Sequence, residues 1–298
     1  MRASTVIVVG SVNVDLTTQV ERIPAPGETV IGGTFGQSPG GKGGNQAAAA
    51  ARLGARTWIV GLVGDDAFGA TARADLAGSG VDVTHLGTGR GPTGVAQIIV
   101  DGLGENLIAV ASGANEELGR AAVEAALERI PGAGAVVLAN LEIPLEAVAA
   151  AASWAEANGC VFVLNPAPAR ALPEDLLALC DVLTPNEHEA RALGARSAEE
   201  LVERGAPVVV RTRGGRGADL LRAGAPPRHQ EAFEVEVVDT TGAGDAFSAA
   251  LAWSLGEGRD MERAVEYAAA AGALATRAVG ARAGAPDRAE VEALVEGR

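Results

Sequence analysis

The stretch VVDTTGAGDAFSAALAWSL (237–255) sets three small residues, Gly242, Ala243 and Gly244, directly before an acid, Asp245, and then starts a helix. A Gly-rich turn with a carboxylate near a helix N-terminus suits the helix macrodipole and needs no ligand. The same arrangement also makes an anion site. Small residues let backbone N–H groups approach a phosphate, and the helix N-terminus stabilises its charge. Asp245 would then stand beside that phosphate, a poor place for a carboxylate unless it takes up a proton. On this stretch alone the two readings stand level.

Outward from it, the helix start lies after a strand signal, FEVEVV (233–238), and the same unit recurs along the chain. TVIVVG (5–10), TWIVGLVG (57–64), AVVLANLE (135–142), CVFVLN (160–165), DVLTPN (181–186) and APVVVRT (206–212) read as buried strands. Helix candidates lie between them: NQAAAAARLG (45–54), RAAVEAALERI (120–130), LEAVAAAASWAEANG (145–159) and NEHEARALG (186–194). Such alternation predicts an α/β fold with a mostly parallel sheet covered on both faces. Two segments break it, 15–41 and 93–115, which read as short strands with Gly-containing turns, VDGLGEN among them. Together they predict a small β-sheet beside the cleft, a lid. The expected division is a core of 1–12, 37–92 and 111–298, with a discontinuous lid of 13–36 and 93–110.

The 298 residues suffice for one large α/β domain with a small appendage. A formal net charge of −14 argues against a nucleic-acid or anionic-membrane surface. No run of 18 apolar residues suggests a membrane span. The short VIVV run reads into a motif rather than a cleavable leader. Cys160 and Cys180, in apolar contexts without metal-ligand spacing, read as buried thiols of a reducing, cytoplasmic compartment.

Several polar residues follow the strand signals, where α/β sheets bind ligands. GQSPGGKGGNQ (36–46) nearly matches a P-loop, but Gly43 stands where a magnesium-binding Ser or Thr belongs, which excludes it. Gly40, Gly41, Gly43 and Gly44 still offer a backbone that a polar ligand can approach closely, with Asn45 as a ligand or a helix cap. In SVNVDL, Asn13 and Asp15 share one side of an extended segment and suit vicinal hydroxyls. Glu142 ends a strand. Asn186 and Glu189 share a face of a helix start, either as a cap and first-turn acid or as organisers of hydrated magnesium. RTRGGRG (211–217) cradles a phosphate or turns into an antiparallel strand. His85, His188 and His229 lack a second His at metal-ligand spacing.

The constellation resembles the ribokinase family of sugar kinases, the PfkB carbohydrate kinases, along essentially the whole chain. GGKGGNQAAAAARLGA looks like its N-terminal signature and DTTGAGDAFSAAL like its C-terminal one. GSVNVDL, PAPGET, SGANEEL, LEIPLEAV and LNPAPARALPEDLLALCDVLTPNEHEA are most similar to the ribose-phosphorylating branch. The resemblance implies a ribokinase-like fold and phosphorylation of D-ribose at O5 by ATP. It makes Asp245 the general base and Gly242, Ala243 and Gly244 the anion hole. Asn13, Asp15, Gly41, Lys42, Gly43, Gly44, Asn45 and Glu142 hold the sugar. Asn186, Thr212, Arg213, Gly214, Gly215, Arg216, Gly217 and Gly244 bind the nucleotide. Glu189 organises Mg2+, and Asp239, Thr241 and the carbonyls of Ala275, Ala278 and Gly280 hold K+. Gly284 falls where relatives often place a potassium-ligating Ser, and Ala269 where a polar residue often meets the adenine. The alternatives are a family member acting on fructose, another sugar or a nucleoside, and a catalytically silent sugar-binding regulator. Phe35 is the single aromatic in the lid segments, against the stacking that a nucleoside wants, and Asp245 with both glycine clusters argues against a silent protein. Exposed lid edges predict a lid-to-lid homodimer.

Overall fold

The computed structural model describes residues 4–297; positions 1–3 of the expected core segment and residue 298 lie outside it. Fourteen strands and ten α-helices follow one another in the described chain. β1 (Thr5–Val9) leads to β2 (Asn13–Gln19) and β3 (Thr34–Gly40), then α1 (Lys42–Arg52), β4 (Arg56–Val63) and α2 (Ala67–Gly78). β5 (Val81–Asp82) and β6 (Leu86–Thr88) precede β7 (Gly94–Val100) and β8 (Asn106–Ala111). Strand–helix alternation then resumes with α3 (Arg120–Leu127), β9 (Val136–Asn140), α4 (Leu145–Ala157), β10 (Val161–Asn165), α5 (Glu174–Ala178) and β11 (Val182–Leu183). It continues through α6 (Glu187–Ala192), α7 (Ala198–Glu203), β12 (Val208–Thr212), β13 (Ala218–Arg222) and β14 (Ala225–Gln230). Three helices finish the chain: α8 (Ala243–Gly256), α9 (Met261–Ala275) and α10 (Arg288–Glu296).

The main sheet runs β14-β13-β12-β11-β10-β9-β1-β4-β5, with β6 also paired to β4. From β12 to β5 the pairs are parallel, and β13 and β14 add antiparallel at one edge. The apolar runs predicted this, because a strand buried on both faces cannot alternate with polar residues. In β1, Val6 and Val8 join the core under α1, α2, α8, α9 and α10, while Ile7 and Val9 join the core under α3 to α7. Chain order reverses between β1 and β9, the kind of switch point at which α/β sheets open a crevice.

β3-β2-β7-β8 form a separate four-stranded mixed sheet. β2 pairs antiparallel with β3, Asn13 opposite Gly40, and parallel with β7, Asn13 opposite Gly94. β3 runs beyond residue 36, the expected edge of the lid, to Gly40.

Two local expectations change, and a third stretch takes one of its two readings. α1 begins at Lys42 rather than Asn45, so Gly41 is the cap and Asn45 lies inside the helix. FEVEVV belongs to no strand, yet its alternation is used: Phe233, Val235 and Val237 line one apolar cavity. The RTRGGRG run turns, through the short 3₁₀ helix Gly214–Arg216, into antiparallel β13.

Candidate active site

Asp245 lies in the first turn of α8, 6% exposed. Gly242 caps the helix at φ 79°, and a Cβ there would stand 2.5 Å from the Ala281 Cα, so only glycine fits. First-turn N–H groups of a helix have no intrahelical acceptor; that of Ala243 donates instead to the Thr240 carbonyl at 3.2 Å. Two amides hold the carboxylate: Asn45 Nδ2 donates to Oδ2 and Gln46 Nε2 to Oδ1, both at 3.1 Å. Burial pushes the Asp245 carboxyl above its ordinary range, opposed by the Lys42 charge and the Asn45 and Gln46 donors. Asp245 in turn raises the Lys42 ammonium pKa. Gln46 also donates to Asn165 Oδ1 at 3.1 Å, which ties α1, α8 and the end of β10 together.

A cavity of about 230 Å³ opens on Asp245. Lys42, Asn186, Glu189, Thr212, Gly242 and Gly244 are among the residues on its wall. A second cavity of about 240 Å³ is mostly apolar, with Gly214, Gly215, Gly217, Phe233, Phe247 and Ala269 among its lining. Thr212, Thr240 and Gly244 border both, so an apolar slot continues into a polar chamber that ends on Asp245. Asn186 caps α6 and forms a capping box with Glu189: its Oδ1 accepts from Glu189 N, and Glu189 Oε2 accepts from Asn186 N, each at 2.8 Å. The cap and the chamber wall are thus the same two residues. Burial raises the Glu189 carboxyl above its ordinary value.

On the other side of Asp245 stand the residues at the ends of β1 and β9. Ser11 Oγ donates to Glu142 Oε2 at 2.5 Å and Lys42 N to the same oxygen at 2.9 Å. Asn13 is 3% exposed, and its Oδ1 accepts from Asn115 Nδ2 at 2.8 Å. Asp15 projects from β2 against Gly40, where an added Cβ would lie 1.9 Å from its Oδ1. Its pKa stands at about 6, raised by burial and then by Glu142, with Arg282 lowering it and Asp245 raising it further. A cavity of about 290 Å³ opens on Asn13 and Glu142 beside Val110 of the small sheet.

A family model for the pfkB family carbohydrate kinase matches residues 3–288. The chain belongs to the pfkB family of carbohydrate kinases. Ribokinase of Bacillus subtilis is 40% identical over 298 aligned residues, 97% of this chain and 99% of the relative. Ribokinase of Haemophilus influenzae is 37% identical over 98% of each chain. Among solved structures, Arabidopsis thaliana ribokinase complexed with ribose and ATP superposes with a TM-score of 0.88 at 33% identity, covering 99% of each chain.

In this pfkB-family chain, the glycines of the first signature have packing reasons as well as any ligand. Gly41 takes φ 81° with the Asn13 N 2.6 Å from its would-be Cβ. Gly43 sits on the backbone of Gly10 and Ser11, and Gly44 lies beneath the Arg282 guanidinium. Lys42, expected on the sugar, lines the chamber beside Asp245 and Glu189. Arg213 and Arg216 do not line either nucleotide-side cavity; they pair with Glu187, and Arg213 also with Asp219.

The candidate potassium ligands lie on two segments that meet, the turn before α8 and the end of α9 with the turn after it. Asp239 Oδ1 accepts from Thr241 N at 2.9 Å and Oδ2 from Gly280 N at 2.8 Å. Burial would raise the Asp239 carboxyl, but these donors together hold it below its ordinary value. The Ala275 and Ala278 carbonyl oxygens converge on Gly284, where a Cβ would stand 2.2 and 3.3 Å from them. The Gly280 carbonyl accepts Gly284 N at 3.1 Å. A side chain at residue 284 would meet the Ala275 carbonyl in this backbone, a constraint that the sequence did not reveal. Among the described residues no cluster of three His, Cys, Asp or Glu makes a metal site, and no helix is long and apolar enough to cross a membrane.

Sequence reasoning missed Ser11, Gln46, Asn115, Asn165 and Arg282. Gln46 and Asn115 stood inside quoted motifs, GGNQ and SGAN, and their polarity next to small residues was the available signal.

Proposed function

We propose that this chain transfers the γ-phosphoryl group of ATP to the 5-hydroxyl of D-ribose. The observation that carries the reading is the position of Asp245: it ends the chamber that continues from the apolar slot, and it is bonded to Asn45 of the sugar set. The slot takes the adenine, with Ala269 giving an apolar contact, and Gly214, Gly215 and Gly217 admit the phosphates. Asp15, Asn13, Asn45 and Glu142 grip the ribose hydroxyls and aim O5 at the chamber. The ribose oxygen attacks the γ-phosphorus, its proton passes to Asp245, and the bond to the β–γ bridging oxygen breaks, leaving ADP. The N-terminal amides of α8 and Lys42 stabilise the phosphoryl oxygens. Positioning supplies much of the rate, which suits a site with so many hydroxyl partners. The small sheet acts as the lid that keeps water from competing as acceptor.

Glu189 fits a magnesium role: a carboxyl held up by burial on the chamber wall gains from a nearby cation, and its Oε1 takes no part in the capping box. Magnesium there would neutralise charge on the phosphates. Asp239, Thr241 and the Ala275 and Ala278 carbonyls offer the hard oxygen set that potassium requires, next to the anion hole. The exposed apolar face of the small sheet supports a homodimer, and two free, buried cysteines support a reducing cytoplasm.

The test is Asp245→Asn, which keeps the volume and loses the proton acceptor. Turnover is expected to fall about 10²–10⁴-fold while ribose still binds. Near-normal turnover would reduce Asp245 to a helix-end acid.

A further inference from the structure

Arg282 lies in the turn after α9, far in sequence from the sugar residues, with a side chain only 10% exposed. Its guanidinium makes three contacts, each to a different element. Nε donates to Asn45 Oδ1 at 3.2 Å, on α1. Nη2 donates to the Gly40 carbonyl at 3.2 Å, the last residue of β3 in the small sheet. Nη1 pairs with the Asp75 carboxylate on α2. The fit is close: a Cβ on Gly44 would stand 2.3 Å from Nη2.

These contacts have a chemical consequence at Asn45. A side-chain amide can present its oxygen or its nitrogen to a neighbour, and Asp245 needs the nitrogen. With Nε donating to Oδ1, the amide is fixed with Nδ2 toward Asp245 Oδ2. The same guanidinium pins Gly40, and Gly40 is the surface against which Asp15 rests. Two cations act on the acids of the site: Lys42 shares the chamber wall with Asp245, and the Arg282 charge lowers the Asp15 pKa. Asp75, on the far side, balances Arg282 and leaves it anchored. A planar fork with several donors suits this task, and a lysine cannot serve Asn45, Gly40 and Asp75 together.

We propose that Arg282 is a positioning residue for the acceptor sugar: it orients the Asn45 amide and anchors the end of the lid strand behind Asp15, without touching nucleotide. This rests on the assignment of Asn45 and Asp15 to the sugar. Its prediction is a split between the two substrates. Arg282→Ala should raise the acceptor KM about tenfold or more and leave the ATP KM within about twofold. In an Asn45→Ala background the same change should add less than about threefold, because most of its effect passes through Asn45.

The experiment measures both KM values for wild type, Arg282→Ala, Asn45→Ala and the double variant, using the sugar that wild type phosphorylates best. Wild-type turnover with ribose tests the ribose reading separately, so its failure changes the sugar and not the cycle. Equal rises in both KM values, or full additivity with Asn45→Ala, would overturn the proposal. Should Arg282→Ala not fold, Asp75→Ala removes the anchor and keeps the guanidinium. A selective rise in acceptor KM of about threefold or more supports the proposal, and an unchanged acceptor KM refutes it.

Discussion

Asp15 and Asp245 are both acids raised by burial, and the site uses them differently. At Asp245 two amide donors and a nearby lysine oppose the burial that raises its carboxyl. Asp15 stands at about 6, and in the proposed function its ionised form accepts two sugar hydroxyls. Ribose KM is therefore expected to climb about tenfold per pH unit below about 6, while Asp15→Asn gives a weak but flat profile. A ribose KM that stays level between about pH 8 and about pH 5 would count against Asp15 as the grip. Stability follows with the opposite benefit. A carboxyl raised in the folded state from 3.8 to about 6 contributes stability that is fully present below about 4 and lost as pH rises through about 6. Asp15→Asn should thus stabilise the fold at neutral pH by about 1–2 kcal/mol, after allowance for partial solvent exposure. The gain should vanish near pH 4 in thermal melts. The binding acid costs the fold something, as functional groups commonly do.

Among the elements, the strands of the main sheet were legible because buried parallel strands are continuous apolar runs: β1, β9, β10 and β12 fall inside the predicted segments, and β4 starts one residue before its own. The helix register at the first signature was not. An Ala-rich run starting at Asn45 suggests a helix start there, yet the helix begins earlier, with Gly43 packed on the Gly10 and Ser11 backbone and Gly44 beneath Arg282. FEVEVV has strand periodicity, but what it packs against is a ligand-sized cavity. The acids and glycines of the site were readable from their types. Their supporting contacts were not, because Gln46 meets Asp245 across 199 residues and Arg282 meets Asn45 across 237. The loop after α9 shows the same limit. Gly284 read as a lost ligand, whereas the structure fills its side-chain space with the Ala275 carbonyl. Potassium is expected to activate turnover more than sodium in a titration at constant ionic strength. Gly284→Ser should weaken that activation by displacing the carbonyl, instead of adding a ligand. Turnover indifferent to potassium would remove the cation from this loop.

At the scale of the whole molecule, the small sheet does not finish its own burial. Phe35 is 68% exposed, and Leu107, Ile108 and Val110 of edge strand β8 are each at least 50% exposed. Such a patch on a sheet with two open edges is covered by a second copy in our reading, and a dimer would hold the lid in place over the sugar. Sedimentation at micromolar concentration should give a dimer, and Ile108→Glu a monomer with a raised ribose KM; a wild-type monomer would contradict this assembly. The layered fold, the slot, the chamber and the acids behind it then serve one reaction. The most direct measurement is ATP-coupled turnover across D-ribose, D-fructose and a nucleoside, with the product's phosphate position read by NMR. Ribose should give the highest kcat/KM, with the phosphate on C5. A preference for fructose or the nucleoside, or no sugar-dependent turnover at all, would contradict the account.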